Sequence, residues 1–209
     1  MKTFLALGDS YTIGEAVATH ERWPSLLVQG LRNRGMEIAD PQIIAQTGWT
    51  TADLRQAIAG CELQPPYDLV TLLIGVNNQY QGLSLSDYAC DFELLLRQAV
   101  ELAGMRKSHV FVLSIPDWGV TPFAADRDRT AIAAEIDAFN QRNARLSYQY
   151  GVQYINLTPL SREAGKFASL NAADGLHPSL DMYRRWVDLL MDRVRRELMD
   201  MALRPPQKA

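Results

Sequence analysis

Along the chain, short apolar runs alternate with longer stretches in which apolar residues recur every three or four positions. Phe4–Leu7, Ile43–Ala45, Leu69–Ile74, Val110–Ile115 and Val152–Leu157 are short, rich in branched or aromatic residues, and closed by turn formers, so each predicts a strand. Several run apolar without alternation, as expected where helices cover both faces of a sheet. Between them, helical periodicity predicts helices over Trp23–Arg34, Ala52–Ala59, Ser86–Ala103, Arg127–Tyr150 and Ser179–Met201. In the last of these Leu180, Tyr183, Val187, Leu190, Met191, Val194 and Leu198 share one face. Asp181, Arg184, Arg185, Asp188 and Arg195 turn to water. Gly35, Gly60, Gly104 and Gly151 each fall where a helix should stop, a place that suits the left-handed conformation.

Strand then helix, repeated without an internal sequence repeat or a linker, predicts one parallel sheet with helices on both sides. The fold class expected is a three-layer α/β/α sandwich with a five-stranded, flavodoxin-like sheet in the order 2-1-3-4-5. A single domain is expected over 1–203, and 204–209, with its prolines and charge, is expected to be a disordered tail.

Composition narrows the function classes. The 209 residues are 47% hydrophobic and 22% charged, enough to bury a core without disulfide or metal staples. Lys plus Arg is 21 and Asp plus Glu 24, a formal charge of −3, which argues against a nucleic-acid binder. No run of 18 apolar residues exists, so no integral membrane contact is expected. The first apolar run stops at Asp9, too short for an export signal. Cys61 and Cys90 stand alone, away from any CxxC spacing. Together these features lead to an expected cytoplasmic location. Oligomeric state is left open.

In an open parallel sheet, ligands bind beyond the carboxyl ends of the strands. Gly8-Asp9-Ser10-Tyr11 follows the first predicted strand and Gln46-Thr47-Gly48-Trp49 the second. Gly75-Val76-Asn77-Asn78 follows the third, Pro116-Asp117-Trp118 the fourth, and Asp174-Gly175-Leu176-His177-Pro178 comes after the fifth. A hydroxyl, a carboxamide, a carboxylate and an imidazole would therefore gather on one rim. These are the parts of acyl transfer: a serine activated by an imidazole, an acid that fixes the imidazole tautomer, and donors for the oxyanion, each worth roughly 3–4 kcal/mol. Ser10, His177 and Asp174 can fill the first three roles. The N–H groups of Ser10 and Gly48, with the Asn77 side chain, can fill the last.

The blocks Gly8-Asp9-Ser10, Gly48, Gly75-Val76-Asn77 and Asp174-Gly175-Leu176-His177 together resemble the SGNH hydrolases, also called the GDSL esterases and lipases. Each block alone is weak; four in order, each at a strand end, are specific. The resemblance implies Ser10 as nucleophile, His177 as general base and then acid, Asp174 as its orienting partner, and Ser10, Gly48 and Asn77 as the oxyanion hole. It implies a serine esterase acting on a small-molecule ester or thioester without a cofactor, in the lysophospholipase-like subgroup or among the carbohydrate acetylesterases. Two positions depart from the family pattern. Tyr11 replaces the leucine usual after Gly-Asp-Ser, and Asn78 replaces a frequent aspartate, a change expected to bear on loop support or substrate choice. The absence of GxSxG argues against the α/β-hydrolase elbow.

Other readings are weaker. Serine also favours the residue that opens a helix, so Ser10 draws its weight from the other blocks. Asp117 shares the rim and is a second candidate acid. Asp9 beside the nucleophile is expected to brace its loop. His20 and His109 lack companions at ligand spacing and are expected to be structural or surface residues, and no metal site is expected at Asp174 and His177. Trp49, Tyr80, Trp118 and Phe123 are candidates for a substrate pocket or for loop anchors. The competing function is a non-catalytic, anion- or nucleotide-binding flavodoxin-like domain, against which neither GxGxxG nor a Walker loop is present.

Overall fold

The computed structural model describes residues 1–200; the expected tail at 204–209 lies outside them. Five strands, β1 (Phe4–Gly8), β2 (Gln42–Ala45), β3 (Leu69–Leu73), β4 (Val110–Leu113) and β5 (Gln153–Ile155), form one sheet in the order β2-β1-β3-β4-β5. All pairings are parallel. The central strands β1, β3 and β4 are buried along their whole length, which is why their sequences are continuously apolar. The edge strands β2 and β5 carry the polar residues Gln42 and Gln153 and are partly exposed. Gly8 pairs with both Ala45 and Leu73, so the carboxyl ends of β1, β2 and β3 are level.

The helices α1 (Ser10–Ile13), α2 (Trp23–Arg32), α3 (Thr51–Ala59), α4 (Val76–Tyr80), α5 (Leu85–Leu102), α6 (Arg129–Tyr150), α7 (Thr158–Ser161) and α8 (Leu180–Asp200) complete the fold. α2 packs on α8, while α5 packs on both α3 and α6. The sheet's two faces are thus covered by separate helical layers. α8 buries Met182, Tyr183, Trp186, Val187, Leu190, Met191, Val194 and Leu198 and turns Asp181, Arg184, Arg185 and Asp188 outward. No helix among the described residues is long and apolar enough to cross a membrane.

Differences from expectation concentrate at strand ends. The short helices α1, α4 and α7 have no legible periodicity, since four or five residues are barely one turn. α6 starts at Arg129 rather than Arg127 because the Asp128 carboxylate accepts from Ala131 N at 2.9 Å and caps it. Gly35, Gly104 and Gly151 are left-handed, with φ of 82°, 64° and 70°. Gly60 is not; its φ of −91° and ψ of −3° continue the right-handed turn of α3. Of the isolated histidines, His20 is exposed, whereas His109 is buried with Nδ1 at 2.7 Å from the Asp68 carbonyl oxygen. Cys61 and Cys90 are free and exposed.

Candidate functional site

Gly8 ends β1 under close packing: a Cβ there would sit 2.2 Å from Thr12 Oγ1 and 2.5 Å from the Leu73 carbonyl oxygen. The chain then turns sharply into α1. Asp9 caps that helix, its carboxylate accepting from Tyr11 N at 3.1 Å. Ser10 is therefore the first helical residue, where the N–H groups have no intrahelical acceptor. Asp9 itself is fully buried, and its Oδ2 has no partner among the described residues. Burial pushes its carboxyl up to about 7 against the lowering effect of the Tyr11 N–H.

After β2, Gly48 adopts a φ of +88° with no atom within 4 Å of where a Cβ would lie, so its backbone conformation, not space, requires glycine. After β3, Gly75 is required on both counts: φ is +128° and a Cβ would come within 2.6 Å of the Tyr88 ring. This turn opens α4 and presents Asn77, whose Nδ2 donates to the Trp49 carbonyl at 2.9 Å. That bond fixes the amide plane and ties the Asn77 turn to the Gly48 loop. Its neighbour Asn78 completes the tie. Asn78 Oδ1 accepts from Thr51 N at 3.1 Å, and Nδ2 donates to Thr51 Oγ1 at 2.9 Å. The amide thus makes two hydrogen bonds to the start of α3.

His177 is held by its own loop. Asp174 Oδ1 accepts from Leu176 N at 2.9 Å and His177 N at 3.0 Å, while Oδ2 is 2.6 Å from His177 Nδ1. One carboxylate therefore folds the turn and orients the ring. Partial burial raises the Asp174 carboxyl, but hydrogen bonds from the His177 ring and these backbone groups outweigh it and hold it below the usual carboxylate range. Gly175, at φ +68°, carries the bend, and its carbonyl accepts from Phe123 N at 3.0 Å. The Tyr11 ring meets the imidazole edge-on, with centroids 5.8 Å apart. A tyrosine in the place of the family's leucine thus flanks the histidine.

Ser10, Gly48, Asn77 and His177, from four separate strand-end loops, line one cavity of about 180 Å³, together with Thr47. Its apolar wall is formed by Val76, Tyr80, Trp118, Phe123 and Leu176. Tyr80, Trp118 and Phe123 are in mutual ring contact, with centroids 5.3 to 6.4 Å apart. Trp49 is not part of this lining; it packs partly buried against the core, and its link to the site is the carbonyl that receives Asn77. Asp117, the second candidate acid, is committed elsewhere. Its Oδ1 accepts from Gly119 N at 2.9 Å and its Oδ2 pairs with Arg162 Nε at 2.8 Å.

Sequence reasoning did not find the residues that stiffen the site from behind. Trp118 Nε1 donates to Gln79 Oε1 at 2.7 Å, and Gln79 Nε2 donates to Glu135 Oε2 at 2.7 Å. Asn140 pairs with both backbone groups of Ile115, at 2.7 and 2.9 Å, and steadies the chain leaving β4. Gln79 and Asn140 read as ordinary helical polar residues, and only their burial exposes the role. Val76 and Leu176 could have been found, since each lies inside a motif block.

Residues 6–185 match the model of the GDSL-like lipase/acylhydrolase family. Among solved structures, TesA superposes with a TM-score of 0.74 at 19% identity, over 94% of this chain and 99% of that one. A psychrotrophic esterase, EstA from Pseudoalteromonas sp., gives 0.71 at 18% identity over 95% and 99%. Axe2, an acetylxylan esterase from Geobacillus stearothermophilus, gives 0.66 at 17% identity over 94% of each chain. These likenesses carry the fold. No curated protein matches the chain.

Proposed function

The chain belongs to the GDSL-like lipase/acylhydrolase family and is a hydrolase acting on ester bonds, and on that premise we propose that it works as a serine esterase through Ser10, His177 and Asp174. The observation that carries this reading is the 2.6 Å contact between Asp174 Oδ2 and His177 Nδ1, on a ring that lines the same cavity as Ser10 and Asn77. With Asp174 ionised, the ring proton sits on Nδ1 and Nε2 keeps its lone pair. Nε2 then takes the Ser10 proton as Oγ attacks the ester or thioester carbonyl. Asp174 stabilises the imidazolium that forms without taking its proton. The carbonyl oxygen becomes an oxyanion held by the N–H groups of Ser10 and Gly48 and by the free hydrogen of Asn77 Nδ2. His177 next protonates the departing alcohol or thiol, leaving an acyl-serine. A water, deprotonated by the same Nε2, attacks the acyl carbon and restores Ser10. Each step conserves protons between serine, imidazole, leaving group and water, so no cofactor enters.

A fluorophosphonate, which reacts only with an activated serine, separates this reading from a purely binding role. Labelling of the native protein at Ser10, loss of labelling in Ser10→Ala, and a fall in ester turnover of several orders of magnitude in that variant are expected. A native protein that resists the label and hydrolyses no ester overturns the proposal. Within the ester class, an acetylated sugar demands room for a two-carbon acyl group, whereas a lysophospholipid demands room for a long chain. The substrate class therefore turns on the shape of the apolar wall.

A further inference from the structure

We propose that Tyr80 is the specificity-determining residue of this site: its ring closes the acyl end of the cavity and restricts the enzyme to short acyl groups. The inference rests on the serine-esterase reading above. The cavity beside Ser10 measures about 180 Å³. For scale, a buried cavity of about 150 Å³ accommodates benzene, six carbons. An acyl group of about six carbons therefore fills the space, and a decanoyl chain does not fit. The cavity opens to solvent on its remaining side, so the alcohol part of the ester is under no such limit.

What stops the chain is the aromatic wall, and beyond the wall lies more room. A second, open groove of about 420 Å³ is lined by Gln79, Arg127, Asp128, Ala131, Ile132 and Glu135. Tyr80 and Trp118 line both the cavity and this groove; Phe123 lines only the cavity. The two shared rings are therefore a partition. Trp118 is fixed within it, only 5% exposed and bonded through Gln79 to Glu135. Tyr80 is 48% exposed and stands at the last position of α4, held at its ring by contacts with Trp118 and Phe123. Removing the Tyr80 ring joins the cavity to the groove without opening the core, whereas removing the Phe123 ring widens the cavity and leaves the partition standing.

The test is the ratio of kcat/KM for p-nitrophenyl decanoate to that for the butyrate, because any general loss of activity cancels in a ratio. The native enzyme is expected to peak between acetate and hexanoate, with the decanoate at least about tenfold below the butyrate, because the carbons beyond the sixth meet the aromatic wall and force the chain out of register with Ser10. Tyr80→Ala is expected to raise the ratio by about tenfold or more, and Phe123→Ala by less than about threefold. Fluorophosphonate labelling of Tyr80→Ala at Ser10 verifies that the variant retains its folded site. A native preference for the decanoate, an unchanged ratio in Tyr80→Ala, or an equal rise in Phe123→Ala overturns the inference. A native enzyme that cleaves none of the esters overturns the serine-esterase reading itself, so the two failures are distinct.

Discussion

Asp174 shows how much one side chain does in this site. Three of its hydrogen bonds shape the His177 loop, and two of the three go to backbone N–H groups that an amide oxygen could accept equally well. The third needs a carboxylate, because only an acceptor opposite Nδ1 keeps the proton there and offsets the imidazolium charge. Asp174→Asn is therefore expected to keep the loop and the melting behaviour while lowering kcat by about 10²–10⁴-fold. Paired thermal melts and single-turnover kinetics check both halves. A variant with native kcat removes Asp174 from the mechanism. Asp117 contrasts with it: the same residue type on the same rim is neutralised by Arg162 and spends its other oxygen on a turn.

At the scale of elements, the site is built where strands stop and very short helices begin. α1 sets Ser10, and α4 sets Asn77 and carries Tyr80 at its end. Neither helix is long enough to be stable alone, so each depends on its tie to a neighbour. For α4 the tie is Asn78, whose amide clamps Thr51 at the head of α3 and thereby fixes the Gly48 loop between them. Asn78→Ala strips the buried Thr51 N–H of its acceptor, a loss worth about 1–3 kcal/mol. Urea unfolding is expected to show that loss with an unchanged m value. kcat should fall as well, because Gly48 and Asn77 drift apart. Native stability in this variant shows the clamp to be idle.

At the scale of the whole molecule, one buried carboxyl sets a dependence of stability on pH. Asp9 lies at the base of the site, fully buried, with a carboxyl pushed up to about 7 from an ordinary value of 3.8. The folded protein thus holds a proton there that the unfolded chain has already released. Stability from this group is full below pH 4 and is lost as pH rises from about 4 to 7. Asp9→Asn keeps the helix cap but has no proton to lose. Its stability relative to the native protein is expected to improve by a few kcal/mol between pH 4.5 and pH 8. Chemical denaturation at the two pH values reads the difference directly, and parallel native and variant curves remove the burial argument.

Much of this was legible in the chain because of how a parallel sheet constrains sequence. Strands covered on both faces must be continuously apolar, and helices between them must carry one apolar face, so the periodicities gave the layers; the order 2-1-3-4-5 was an expectation within that fold class, which the sheet bears out. The motif blocks were legible because each sits at the carboxyl end of a strand, where the topology leaves backbone groups and side chains unspent. What the linear pattern left open was decided by tertiary contact: that Asp174 and not Asp117 faces the imidazole, that Trp49 lends its carbonyl and not its ring, that Gln79 and Glu135 pin Trp118, and that Tyr80 stands between two hollows. Period and composition report which face of an element is buried, a property of single elements. Which two polar groups meet across loops depends on distances set by several elements at once, and no local pattern records them.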